Sequence, residues 1–249
     1  MKKQKNLLAI ITGVHGDEKL GPRSIKKISL PVFCKHIVAH TKALRENTRF
    51  IETDLNRSFP GRKQGTLEEK IAYNLTRKLK KFNYVLDIHA TDSPIKNTII
   101  TTRMNKKTKK LISYTPLTEI IIMPPNFGSR TALTHHTKCG ITLEYGFGKQ
   151  KINQQTISDI NQIIDALKKN KTFKLQRNIY KVTKPFTISK RFKPIKKLEE
   201  FKKITKGSIL GKDEHGIIKA PFTFYPVFTS KGSYDGTLCL MAEKKCELI

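Results

Sequence analysis

The chain has 249 residues, of which 37% are hydrophobic and 28% are charged, so it can form one large domain and is too apolar to be wholly disordered. Its apolar runs all fall short of the roughly 18 residues of a membrane-spanning helix, which excludes an integral helical membrane protein. Lys and Arg number 49 against 20 Asp and Glu, and this net charge of +29 would raise the local concentration of an anionic substrate.

The first predicted element is a strand at Leu7–Ile11. The basic segment Met1–Lys5 ahead of it gives this stretch some likeness to a secretory signal peptide. The apolar part is short, however, and no cleavage site of small residues precedes the polar His15–Glu18. We therefore interpret the stretch as the first strand of the fold.

Short apolar runs recur up to about residue 170. They are rich in β-branched residues and nearly continuous, which is typical of strands buried on both faces. Six strands are predicted in this region: Leu7–Ile11, His36–Thr41, Tyr84–His89, Thr98–Thr102, Glu119–Met123 and Gly140–Tyr145.

Amphipathic helices are predicted in the same region. Thr66 and Glu69 form a capping-box pattern that opens a helix with Ile71, Leu75 and Leu79 on its apolar face. A second helix is indicated by a stripe of four apolar residues before Lys168–Lys171, namely Ile157, Ile160, Ile164 and Leu167. The alternation predicts an α/β fold with a mixed, mostly parallel sheet and helices on both faces.

The sequence changes character after about residue 172, where short apolar runs are separated by Gly and Pro. Four strands are predicted there: Ile179–Val182, Ile217–Ala220, Phe222–Tyr225 and Leu238–Ala242. We therefore predict a catalytic domain over residues 1–171 and a small β-rich C-terminal domain over 172–249.

Three polar side chains stand where predicted strands give way to loops. His15 and Glu18 follow the first strand and are three residues apart, so that one turn brings them together. His89 ends the strand Tyr84–His89, and ligands bind outside the carboxyl ends of strands in open α/β sheets. Two His and one Glu are ligands that a hydrolytic zinc site uses.

Glu144 lies near the end of another predicted strand and would supply the catalytic base of such a site. Zinc lowers the pKa of bound water to about 7, and Glu144 could pass the proton to a leaving amine. Taken singly, each residue has an ordinary alternative. His15 and Glu18 would form a surface pair, His89 would be a core histidine, and Glu144 would pair with a neighbouring cation.

The segment Arg49–Gly61 is a second candidate region. Arg forms planar, two-pronged hydrogen bonds to carboxylates, and Asn56 beside Arg57 adds a neutral donor. Together these side chains suit a substrate carboxylate, although in isolation they would be an ordinary polar loop.

These motifs, in this order, resemble the aspartoacylase and succinylglutamate desuccinylase family, a branch of the zinc carboxypeptidase-like superfamily. The matching segments are Gly13–Glu18, Arg49–Gly61, Leu86–His89, Thr142–Gly146 and Tyr225–Phe228, with Tyr234 further on. The resemblance covers both parts of the chain, and the joint occurrence of the motifs is specific.

The resemblance implies one Zn²⁺ per chain, bound by His15, Glu18 and His89, with Glu144 as the catalytic glutamate. It also implies further roles in catalysis and substrate binding. Arg49 would stabilise the oxyanion, Asn56 and Arg57 would bind the substrate carboxylate, Tyr234 would close the site from the C-terminal domain, and Arg130 would bind a second carboxylate.

One position departs from aspartoacylases, which carry a Lys four residues after the closing tyrosine. Leu238 stands there, and this argues against N-acetylaspartate as the substrate.

The leading hypothesis is a cytoplasmic zinc-dependent deacylase of N-acyl amino acids, acting on a small anionic substrate with a carboxylate. Four cysteines without a C-x-x-C pair favour reduced thiols: Cys34, Cys139, Cys239 and Cys246. A zinc carboxypeptidase acting on peptides or cell-wall fragments would use the same chemistry and is the first alternative. A homo-oligomer is left open, and no membrane partner is expected.

A basic nucleic-acid-binding protein with a relict metal site is the second alternative. The lysines are scattered in short runs such as Lys78–Lys81, Lys106–Lys110 and Lys196–Lys197, without a recognisable nucleic-acid-binding motif. We therefore interpret the charge as a solvated surface and do not expect nucleic acid as a partner.

Overall fold

The computed structural model describes residues 7–146, 148–229 and 236–249. Its strands are β1 (Leu8–Thr12), β2 (Cys34–Val38), β3 (Tyr84–Ala90), β4 (Thr98–Thr101), β5 (Glu119–Ile122), β6 (Gly140–Tyr145), β7 (Gln176–Thr187), β8 (Lys193–Pro194), β9 (Ile209–Asp213), β10 (Gly216–Lys219), β11 (Tyr225–Val227) and β12 (Thr237–Leu248). Its α-helices are α1 (Leu20–Ile25), α2 (Thr41–Glu46), α3 (Leu67–Leu79), α4 (Lys106–Ile112) and α5 (Gln154–Lys169).

The described strands form one large mixed sheet and one small sheet. Across the large sheet the order is β11-β12-β7-β5-β4-β6-β3-β1-β2. Five of its neighbouring pairs are parallel, and the pairs β4–β6, β7–β12 and β11–β12 are antiparallel. The small sheet, β10-β9-β8, is antiparallel. The predicted fold class, including a small β-rich C-terminal part, is therefore confirmed.

Helices cover both faces of the large sheet because successive side chains of a strand point to opposite faces. On β1, Leu8 and Ile10 belong to a core cluster that includes buried residues of α1, α4 and α5. Ala9 and Ile11 belong to a second cluster, built with buried residues of α3. The central strands are buried on both sides, as their nearly continuous apolar sequences predict.

The capping box predicted for α3 is present. The Glu69 backbone N–H donates to Thr66 Oγ1 over 3.3 Å, and the Thr66 N–H donates to Glu69 Oε2 over 3.0 Å. The second predicted helix is α5, which ends at Lys169 because Asn170 adopts a left-handed conformation with φ of 50°.

Two predicted strands extend three residues too far. The strand expected over His36–Thr41 stops at Val38, because the side chain of His40 accepts a hydrogen bond from the Ala43 N–H and caps α2. The strand expected over Phe222–Tyr225 begins only at Tyr225, and Phe224 forms an isolated bridge with Ile204 instead. A local side-chain hydrogen bond overrides the apolar pattern in the first case, and a backbone pairing with a segment 20 residues away does so in the second.

The C-terminal region extends the large sheet as well as forming the small one. Residues Asn178–Lys181 of β7 pair with Glu119–Ile122 of β5, and β12 pairs along the length of β7. Sheet hydrogen bonds therefore cross the predicted boundary, and the division at residue 171 stays a prediction. Within the described ranges, no helix is long and apolar enough to cross a membrane.

Candidate metal and substrate site

A cavity of about 1100 Å³ lies at the carboxyl ends of β1, β3 and β6. His15 follows β1, while His89 and Glu144 are the penultimate residues of β3 and β6. All three line the cavity. Since β3 and β6 are parallel and His89 is the register partner of Glu144, their side chains stand side by side on one face of the sheet.

His15, Glu18 and His89 converge on one point, as predicted. Their candidate ligand atoms all lie within 4.8 Å of one another, and the three side chains are buried. Glu18 Oε1 lies 2.6 Å from His15 Nδ1, and Glu18 Oε2 lies 3.1 Å from His89 Nδ1. The turn that carries His15 requires Gly16, because a Cβ there would lie 2.1 Å from the Ala43 carbonyl carbon.

The outer nitrogen of each imidazole faces a carboxylate. His15 Nε2 lies 3.2 Å from Asp54 Oδ1, and His89 Nε2 lies 3.0 Å from Asp87 Oδ2. Such partners fix the ring orientation of histidines that bind a metal through their other nitrogen. Two imidazoles and one carboxylate, oriented in this way, form a donor set that fits zinc.

The charges of the cluster depend on one another. Burial opposes ionisation of Glu18, but the neighbouring His15 and His89 hold its pKa well below the usual range. Burial likewise opposes the charge on His89, but Asp87 and Glu18 raise its pKa well above the ordinary value. The site therefore concentrates negative charge that protons neutralise, and a divalent cation could take their place.

Glu144 has different surroundings. Burial is the main cause that raises the pKa of its carboxyl to about 7, and the negative charge of Glu18 adds to the shift. A carboxyl that gains and loses a proton near neutral pH suits a general base, for which the ideal pKa lies near the working pH.

Arg49 is connected through Asp54 to the three candidate metal ligands, His15, Glu18 and His89, which we call the metal cluster. Its Nη2 and Nε atoms lie 3.1 and 3.3 Å from Asp54 Oδ2, while the other oxygen of Asp54 faces His15. Arg49 Nη1 also lies 3.9 Å from Glu18 Oε1. Although burial favours the neutral acid, His15 and Arg49 hold the pKa of Asp54 well below its usual range.

Asn56 and Arg57 lie in a short 3₁₀ helix, Leu55–Arg57, and both line the cavity. The Asn56 side-chain oxygen accepts a hydrogen bond from the Leu133 N–H over 3.1 Å. Arg57 passes Gly128, where an added Cβ would lie 2.8 Å from Arg57 Nε. Glycine is favoured at this position chiefly because its φ is +71°, and an added Cβ would also push the Arg57 side chain aside.

The structure does not bring Arg130 to this point. Arg130 is exposed and is not among the described residues that line the cavity, and its carbonyl accepts a hydrogen bond from His136 Nε2 over 2.6 Å. Tyr234 lies outside the described residues. Leu238 packs, partly buried, against the C-terminal core cluster. The roles suggested for Arg130 and Tyr234 stay predictions.

Sequence reasoning missed a carboxylate that fastens the C-terminal region to the cavity wall. Glu200 Oε1 accepts hydrogen bonds from Ser93 Oγ at 3.0 Å and from the Thr229 N–H at 2.7 Å. Its Oε2 accepts from the Phe228 N–H at 2.9 Å. Ser93 and Phe228 both line the cavity. Nothing in the sequence near Glu200 marks this role, because its partners are distant in the chain.

Sequence reasoning also missed the parts played by Asp54 and Asp87. Asp87 could have been found, since residues two apart on a strand share a face and Asp87 precedes His89 by two. Asp54 carried no such signal, because it lies 39 residues from His15.

Comparisons with known proteins agree with this fold. The family profile described as the succinylglutamate desuccinylase/aspartoacylase catalytic domain matches residues 4–170. A probable aspartoacylase of Acaryochloris marina (strain MBIC 11017) is 32% identical over 112 residues, which cover 37% of this chain and 37% of that protein. The match thus spans little more than a third of that curated relative.

Two solved structures share the fold over nearly the whole chain. Murine aminoacylase 3 has a TM-score of 0.82 and 18% identity, with 99% of this chain and 98% of that chain covered. Succinylglutamate desuccinylase of Vibrio parahaemolyticus has a TM-score of 0.68 and 17% identity, with 100% and 87% covered. At these identities the likeness establishes the fold alone.

Proposed function

Because the chain belongs to the succinylglutamate desuccinylase/aspartoacylase family, we propose that it is a zinc-dependent hydrolase that removes the acyl group from N-acyl amino acids. The observation that carries the proposal is the buried convergence of His15, Glu18 and His89 beside Glu144. Asp54 and Asp87 support it further, since each orients one of the two imidazoles.

His15, Glu18 and His89 would hold one zinc ion, whose chemistry is to polarise the amide carbonyl and to make water a stronger nucleophile. Glu144 takes a proton from the attacking water and delivers it to the amine nitrogen as the C–N bond breaks. The products are the carboxylate of the acyl group and a free amino acid.

The two arginines have different proposed roles. Arg49 is held by Asp54 near the metal cluster, where its guanidinium can stabilise the negative charge that develops on the carbonyl oxygen. Arg57 lines the same cavity and can bind the substrate carboxylate through two parallel hydrogen bonds, with Asn56 beside it. A substrate with an amide bond near a carboxylate fits this arrangement, because the amide would lie at the metal cluster while Arg57 binds the carboxylate in the same cavity.

A carboxypeptidase would use the same groups, and the two activities differ only in what precedes the cleaved amide. We also propose a cytoplasmic location, which the four free cysteines support.

A substrate screen with Glu144→Gln as a control tests the proposal. The zinc-loaded protein should hydrolyse members of a panel of N-acetyl and N-succinyl amino acids faster than dipeptides, and a chelator should abolish turnover until zinc is restored. Preference for dipeptides would favour the carboxypeptidase. Turnover that survives chelation, or that is equal in Glu144→Gln, would refute the proposed mechanism.

A further inference from the structure

The carboxylate of Glu68 is fully buried at the start of α3 and accepts hydrogen bonds from three successive backbone amides. Its Oε1 accepts from the N–H groups of Ile51 at 2.8 Å and Glu52 at 3.2 Å, and its Oε2 accepts from Thr53 at 3.2 Å. His40 Nε2 lies 2.9 Å from Oε1. Although burial alone would raise the pKa of Glu68, the hydrogen bonds from His40 and the amides lower it to about 2.

Glu68 is not needed to cap the helix on which it lies. Thr66 and Glu69 already satisfy each other in the capping box. A buried ionised carboxylate is costly unless it is fully hydrogen-bonded, and Glu68 obtains those bonds from the loop outside the helix. Its energetic role is therefore to hold the loop.

The loop that Glu68 holds is the middle of the segment 49–57, which we call the arginine segment. Arg49 lies two residues before the first bonded amide, and Asp54 follows the last one directly. The substrate-binding candidates Asn56 and Arg57 come next. Fixing three consecutive amides in the centre of the segment restrains the positions of the charged groups on both sides.

His40 connects this arrangement to the metal cluster. Its backbone N–H donates to the Gly13 carbonyl at 2.9 Å, two residues before His15. The Gly16 N–H in turn donates to the Arg49 carbonyl at 3.2 Å. The His40–Glu68 pair, with both side chains fully buried, therefore ties the loop of His15 to the arginine segment.

We propose that Glu68 is a positioning residue, which sets the arginine segment relative to the metal cluster so that Arg49, Asn56 and Arg57 meet the substrate. This inference rests on the proposed function. It assigns Glu68 a role in substrate binding without contact to the substrate.

The test compares Glu68→Gln with Glu69→Gln, two neighbouring changes that each remove one carboxylate charge. Glu68→Gln keeps the shape of the side chain. Its NH₂ group, however, is a donor and cannot accept the hydrogen bonds that the backbone N–H groups of residues 51–53 make to Glu68. We expect its KM to rise about tenfold or more, as misplaced binding groups cause, with zinc content unchanged and a smaller effect on kcat. Hydrogen exchange at the amides of residues 51–53 should become faster.

Glu69→Gln can still complete the capping box and loses only the ion pair with the exposed Arg62, so it should leave the melting temperature close to wild type and KM and the exchange of these amides at the wild-type values. If Glu68→Gln does not fold, Glu68→Asp serves instead, because it keeps the charge but is one methylene too short to reach all three amides.

An unchanged KM in a folded Glu68 variant would overturn the positioning role, and so would unchanged exchange at residues 51–53. A wild-type protein without activity on any N-acyl amino acid would instead refute the proposed function. The exchange measurement would still decide whether Glu68 holds the segment, so the two failures are distinguishable.

Discussion

The metal cluster and the arginine segment face one cavity but are built in different ways. The side chains of His15, Glu18 and His89 are only 5, 6 and 4% exposed, whereas the Arg49 side chain is 42% exposed. The cluster is placed by neighbouring strands and one tight turn. The arginine segment contains no strand. It is held by hydrogen bonds to two carboxylates, Asp54 within the segment and Glu68 at the start of α3.

This difference separates the metal-binding groups from the groups that meet the substrate. Groups fixed by the sheet cannot move without disturbing the core, so the fold itself keeps the metal ligands in place. Groups on a segment held by a few hydrogen bonds can be repositioned by single substitutions. One scaffold could therefore keep amide hydrolysis while its preferred acyl amino acid changes.

Removing a ligand should have the largest effect. His89→Ala should lose zinc and reduce activity to that of the metal-free protein, since even loss of an outer partner costs roughly 10–100-fold in metal affinity or activity. Metal analysis and kcat/KM on one preparation would check this, with circular dichroism to establish folding. Full zinc content in the variant would remove His89 from the site.

The next largest effect should come from Glu144→Gln. The change keeps the shape and leaves the ligands intact, but the amide cannot take a proton. We expect kcat to fall about 10²–10⁴-fold with zinc content and melting temperature close to wild type. A variant that loses stability but keeps its turnover would show that Glu144 is structural.

Asp54 contacts both His15 of the metal cluster and Arg49 of the arginine segment, so replacing it tests whether the two regions act separately. Asp54→Asn should weaken zinc binding roughly 10–100-fold, through His15, and should also lower kcat at saturating zinc, because Arg49 loses the carboxylate that holds it near the developing oxyanion. Asp87→Asn, its matched control, should weaken zinc binding by a similar factor and leave kcat unchanged once zinc is saturating. Equal kcat values in the two zinc-saturated variants would break the proposed link.

Arg57→Ala should affect recognition alone. Hydrogen bonds to a charged group contribute about 1.5–3 kcal/mol, so KM should rise about 10–100-fold, with kcat and zinc content little changed. Steady-state kinetics on the preferred substrate would measure both constants. A fall in kcat at constant KM would move Arg57 from binding to catalysis.

Local sequence patterns predicted the parts of the site that the sheet places. Gly140–Tyr145 is β6 itself, and the ends of β3 and β6 locate His89 and Glu144 correctly. The capping box located the start of α3 because its hydrogen bonds join residues three apart. These features depend on neighbours in the chain, so they can be recognised without the tertiary structure.

The supports of the arginine segment could not be predicted in this way. Glu68 reads as an ordinary first-turn glutamate, and its partners at residues 51–53 are 15 to 17 positions away. His40 falls in an apolar run that favoured a strand, yet its ring caps α2 and bonds Glu68. Such roles arise only when distant segments pack together.

The pairing of β7 with β5 has a consequence for a protein limited to the segment that the family profile matches. The matched segment ends at residue 170, before β7 begins. A chain cut there would leave β5 as an open edge and would uncover Ile121, which the complete chain buries fully against residues of the C-terminal region. Exposed apolar edges of this kind recruit strands from other molecules, so we expect the shortened protein to aggregate instead of folding as a smaller enzyme.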